Sequence, residues 1–168
     1  MGTTLKPATV FFLGLAMIAT VPGEGRAAAP RLSKQAIESA SRMTVYVGTY
    51  TSGDSKGIYR LSLDLKTGRL TKLGVTGGVR NPSFLAIHPN KRFLYAVSEV
   101  SSVDGKKTGA VTAFAIDRET GELKKINWQS SGGAGPCHLV VDRAGKAVLV
   151  ANYGGGSVAS LPIAKNGG

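Results

Sequence analysis

Two histidines and one cysteine are the chain's main candidates for base or nucleophile chemistry, and "GPCHLVV" sets His138 directly beside Cys137. Imidazole titrates near neutrality and serves as a general base, and a thiol next to imidazole is a potential nucleophile. Successive residues of a strand point to opposite faces, however, so an apolar strand starting here would separate the two side chains. That argues against a Cys–His pair and makes Cys137 a small buried hydrophobe. His138 stays open between a catalytic base and a hydrogen-bonded core histidine. The glycines at 132–135 and 154–156 are followed by strand-like sequence, whereas a phosphate or dinucleotide loop opens a helix, so they read as strand-linking turns. With so few Cys and His, a zinc-type site is not expected, and no metal or cofactor is assigned.

The elements that must position His138 repeat. "GIYRLSLDLKTGRL" (57–70) matches "GAVTAFAIDRETGEL" (109–123), and "NPSFLAIHPNKRFLYAVSE" (81–99) matches "GPCHLVVDRAGKAVLVANY" (135–153), a period of about fifty residues. A third copy starts at "GSVASLPIAKNGG" (156–168) and stops before its D-x-x-T-G turn. Each unit reads as four strands: an apolar strand, a tight turn, a second apolar strand, a third ending at Asp, the T-G turn, and a more polar fourth strand. The fold class is therefore all-β, a β-propeller of four-stranded blades, here an incomplete array of two-plus blades. A closed propeller has more blades, so the sequence reads as the N-terminal portion of a longer protein, truncated in mid-blade.

Strands joined by a tight turn are antiparallel, so the entrance of the first strand and the exit of the second share one end of the blade. That end gathers Cys137 and His138 with Asn152 and Tyr153 in one unit, and Ser83 and Phe84 with Glu99 in the preceding one. Tyr50, closing "VYVGTY", joins them. If the first strand of each blade lines the central channel, all of these meet at one mouth, with Glu99, Asn152, Tyr153 and Tyr50 as substrate-binding candidates. His88, in the turn, belongs to the opposite end. Trp128, in the outer strand, packs between blades.

The first 28 residues read as a secretory signal, with Lys6 ahead of an apolar run from Val10 to Val21 and small residues before a cleavage site at Ala27 or Ala28. The run is too short to span a bilayer, and no other stretch is long enough after signal removal. The expected organisation is 1–28 signal peptide, 29–43 linker or short helix, and 44–168 partial β-propeller. The expected localisation is exported, periplasmic or extracellular. The formal net charge of +11 favours anionic partners. The basic residues run no longer than pairs, without interleaved aromatics, so nucleic acid is not expected.

Taken together, "VYVGTYT", "NPSFLAIHPNKRFLYAVSE", "DRETGEL" and "GPCHLVVDRAGKAVLVANYGGGSV" resemble the lactonase family of seven-bladed β-propellers, which includes 6-phosphogluconolactonases and is related to carboxymuconate cyclases. The resemblance covers residues 43–168. It implies hydrolysis of a sugar lactone without a cofactor, at a channel mouth where a histidine works beside arginine and glutamate. Only the histidine of "GPCH" matches, so His138 is the implied general base, with the arginine and second acid expected in later blades. Arg80 is a poor substitute. The partner implied is a small anionic or sugar lactone. The alternative is a non-catalytic propeller fragment, acting as a binding module or an inactive gene product, with self-association through open blade edges.

Overall fold

The computed structural model describes residues 41–168. The assigned signal, and the linker up to residue 40, lie outside the described residues. Among the described residues the regular structure is all strand: β1 (Arg42–Val47), β2 (Ile58–Asp64), β3 (Leu70–Thr76), β4 (Leu85–Ile87), β5 (Phe93–Ser98), β6 (Ala110–Ile116), β7 (Leu123–Ser130), β8 (Pro136–Val141), β9 (Ala147–Asn152) and β10 (Ser157–Pro162). They form three antiparallel sheets, ordered β1-β2-β3, β4-β5-β6-β7 and β8-β9-β10. Strand β1 starts at Arg42, so the last two residues of the expected linker are already sheet.

The repeat is visible in local geometry. In both D-x-x-T-G turns the aspartate Oδ1 accepts two backbone N–H groups, Lys66 and Thr67 on Asp64 and Glu119 and Thr120 on Asp117. The turn then closes through a glycine N–H on the aspartate carbonyl, Gly68 to Asp64 and Gly121 to Asp117. Both glycines need the left-handed backbone, with φ of 71° and 73°, which a side chain disfavours. The strands leading into these turns each carry a register shift, at Arg60/Leu61 and at Ala113/Phe114.

The middle sheet is the pivot of the packing. Every residue of β5 is buried, because its alternating side chains serve two cores. Leu94 and Ala96 join Ile58, Val79 and Phe114 against the first sheet. Phe93, Tyr95 and Val97 join Leu139, Val148 and Val150 of the third sheet. Polar bonds reinforce both seams. The Tyr46 hydroxyl donates to the Gly121 carbonyl at 2.6 Å, and Arg60 pairs with Glu122 at 3.3 Å. The Tyr95 hydroxyl donates to the Gly167 carbonyl at 3.0 Å, and burial pushes its phenol up to about 12. The outer sheets are covered on one face only. Val140, Leu149 and Val158 on the third, and Met43, Leu70 and Leu73 on the first, remain exposed. Trp128 is also 41% exposed on β7, so it is not enclosed between sheets.

Candidate active site

All three sheets contribute to one end of the stack. The first sheet supplies Tyr50, just after β1. The second supplies Ser83 and Phe84 before β4 and Glu99 after β5, and the third supplies Cys137 and His138 from β8. The Tyr50 hydroxyl donates to Glu99 Oε2 at 2.9 Å, and the Ser83 hydroxyl donates to the same oxygen. The Tyr50 bond joins two sheets through residues far apart in sequence, and the Ser83 bond holds the same carboxyl from within the second sheet. The Glu99 hydrogen bond, followed by burial and the carboxylate charge, raises the Tyr50 phenol above its ordinary value.

His138 is exposed and lies tilted against Phe84, with ring centroids 4.3 Å apart. The imidazole has no hydrogen-bond partner among the described residues. It opens onto a groove of about 390 Å³ shared with Val140, Leu149, Ala151, Val158 and Ser160. A base that must meet water needs such access, and a core histidine would have both ring nitrogens occupied. His138 is thus open to solvent rather than enclosed by internal hydrogen bonds.

Alternation does not hold at this position. The β8–β9 register shifts between Pro136 and His138, which makes Cys137 the extra residue of a bulge. Cys137 is half-buried rather than buried, and its thiol is 3.9 Å from the Ala151 carbonyl oxygen. It lines a second depression that shares Ala151 and Val158 with the groove at His138. The two neighbours therefore open on the same side of the sheet, contrary to the strand-period expectation.

The remaining expected site residues divide. Asn152 is only 2% exposed, and its Nδ2 donates to the Ser131 carbonyl at 2.8 Å and to Ser157 Oγ at 3.2 Å. These bonds hold the loop before β8 against the β9–β10 turn, so the expectation of a substrate contact there is corrected to a packing role. Tyr153 projects into solvent at 87% exposure beside Cys137. Arg80 donates to the Ser102 carbonyl at 2.9 Å and makes no contact with His138 or Glu99.

Sequence reasoning missed Asn81. Its Oδ1 accepts from the Thr51 N–H at 2.9 Å and its Nδ2 donates to the Glu99 carbonyl at 3.2 Å, while its own carbonyl accepts the Glu99 and Ser83 N–H groups. Its φ of 46° puts it in the left-handed region, which asparagine enters more readily than most residues. An Asn-Pro pair ahead of a strand was the available signal.

A model of the lactonase, seven-bladed β-propeller family matches residues 44–168. The 6-phosphogluconolactonase of Bacillus subtilis (strain 168) is 38% identical over 122 residues, covering 73% of this chain and 34% of that protein. The 6-phosphogluconolactonase of Formosa agariphila is 34% identical over 126 residues, covering 73% and 34%. Among solved structures, the periplasmic gluconolactonase of Pseudomonas aeruginosa superposes with a TM-score of 0.68 at 32% identity, covering 76% of this chain and 36% of that one. The chain thus spans about a third of the length of the curated relatives it matches. Repeat, sheet order and family match agree that this chain belongs to the lactonase family of seven-bladed β-propellers.

Proposed function

We propose that this protein takes part in the hydrolysis of a sugar lactone, a gluconolactone or its 6-phosphate, with His138 as general base. The imidazole removes a proton from water as the water oxygen bonds to the lactone carbonyl carbon. The tetrahedral oxyanion then collapses, the ring C–O bond breaks, and the proton passes to the leaving ring oxygen to give the open aldonic acid. The scheme uses no metal or organic cofactor. One observation carries the reading: an exposed imidazole with no hydrogen-bond partner among the described residues, seated on Phe84 at the end where three sheets converge. The names of the B. subtilis and P. aeruginosa relatives support it. The positive group that would stabilise the oxyanion is not assigned to a residue, and among the described residues no arginine forms a hydrogen bond with His138.

The same reading assigns residues 1–28 as an export signal and the segment from 29 up to β1 as a connection to the blades of a partial propeller. A periplasmic relative supports export. Acid release from glucono-1,5-lactone and from its 6-phosphate, measured above the spontaneous rate, is the test. Wild type should accelerate at least one of them; equal rates for wild type and His138→Ala would remove His138 from the chemistry.

A binding role has its own support in the uncovered apolar faces of the outer sheets, where Val158 is 83% and Met43 53% exposed. This predicts self-association. Sedimentation should find species heavier than the 17.4 kDa chain, and a lasting monomer would count against it.

A further inference from the structure

The mouth contains a carboxylate to which the proposed chemistry gives no task. Glu99 is half-buried and has no salt-bridge partner among the described residues, where the ion pair found is Arg60–Glu122, across the first seam. Both hydroxyls that bind its side chain, from Tyr50 and Ser83, donate to the same oxygen, Oε2. Its backbone is fixed on both sides by Asn81. The group is therefore oriented without being neutralised, and Oε1 retains its acceptor capacity.

A pre-oriented carboxyl oxygen with free acceptor capacity and no cation beside it suits hydroxyl donors and offers phosphate no donor. We propose that Glu99 is a specificity-determining residue that binds the hydroxyls of the lactone ring, so that the part of the substrate facing Tyr50, Ser83 and Glu99 is an uncharged polyol. This deepens, and rests on, the lactone-hydrolysis reading. On a phosphorylated substrate the phosphate must point away from this corner. An unphosphorylated aldonolactone meets no such constraint, so it is the substrate class that this corner favours. Asn81, Tyr50 and Ser83 are positioning residues, acting through Glu99.

The test compares wild type and Glu99→Gln on glucono-1,5-lactone and on δ-valerolactone, which has the ring ester without hydroxyls. A neutral amide is a weaker acceptor than a carboxylate, so KM for gluconolactone should rise about tenfold while kcat changes much less. The preference for gluconolactone over δ-valerolactone should fall by about the same factor. A drop in kcat that is equal on both lactones, or an unchanged preference, overturns the proposal. If wild type turns over neither lactone, the hydrolytic reading fails separately, and ligand-observed NMR with glucono-1,5-lactone decides this one. Binding that Glu99→Gln weakens upholds it; binding that is absent, or equal in both proteins, overturns it. A melting temperature for Glu99→Gln close to wild type checks that the variant is folded.

Discussion

His88 and His138 lie at opposite ends of the same stack of blades, in environments that differ in almost every respect. His88 is 8% exposed, with Nδ1 accepting the Asn90 N–H at 3.1 Å and Nε2 therefore donating to the Gly145 carbonyl at 3.0 Å. Its ring stands edge-on to Phe93 at 5.7 Å. Both nitrogens are committed, and the ring ties the β4–β5 turn to the β8–β9 turn. His138 has one aromatic neighbour and an open groove. The two ends teach a general distinction: an imidazole saturated by internal bonds ties two turns together, and one without such bonds among the described residues stays open to solvent.

The sharpest way to break this comparison is to delete each ring and watch both activity and stability. On the proposed mechanism, His138→Ala should reduce lactone turnover by about a hundredfold or more, with a melting temperature close to wild type. A large fall in melting temperature there would make His138 a structural residue after all.

At the other end the largest loss should come from Gly145→Ala. A Cβ at this position would collide with the His88 imidazole, and the backbone φ of 67° disfavours any side chain. Strain and overpacking together should cost about 2–4 kcal/mol, read by urea unfolding. His88→Ala should cost somewhat less, about 1–3 kcal/mol, because it leaves the Asn90 N–H and the Gly145 carbonyl without their partner and opens a gap beside Phe93. A neutral result would mean that the inter-blade tie contributes nothing beyond local turn geometry.

The smallest effect sharpens the contrast through pH. Asp142, in the same turn region as Gly145, accepts the N–H groups of Ala147 at 2.8 Å, Lys146 at 2.5 Å and Ala144 at 3.0 Å. These bonds hold its carboxyl below the usual carboxylate range. A depressed folded pKa gives stability that is fully present above the unfolded value, about 3.9, and disappears as pH falls through the folded one. Asp142→Asn should therefore lower the melting temperature modestly at neutral pH, and the gap to wild type should close as pH drops below about 4. A gap independent of pH would assign the effect to packing instead.

Much of this architecture was legible because it is local. The fifty-residue period, the D-x-x-T-G turns and the placement of His88 and His138 at opposite ends all follow from strand period and turn chemistry between near neighbours in sequence. Asn152 was misjudged because a strand-end position does not say whether a side chain faces solvent or closes onto a neighbouring loop. The Cys137–His138 orientation was misjudged because one inserted residue cancels the alternation on which the argument stood.

The sequence by itself determined the unit of structure: strands with one or two apolar faces, joined by turns whose Asp and Gly dictate the backbone. It also set His138 at the end of the blades opposite His88. Only the tertiary structure decided which polar groups meet there. Tyr50 and Glu99 are 49 residues apart, and their bond exists because packing of the first sheet on the second brings their strand ends together. The bulge at Cys137, the burial of Asn152 and the bridging role of Asn81 have the same origin. Each depends on the register and stacking of sheets, which arise from long-range burial and which no local pattern encodes.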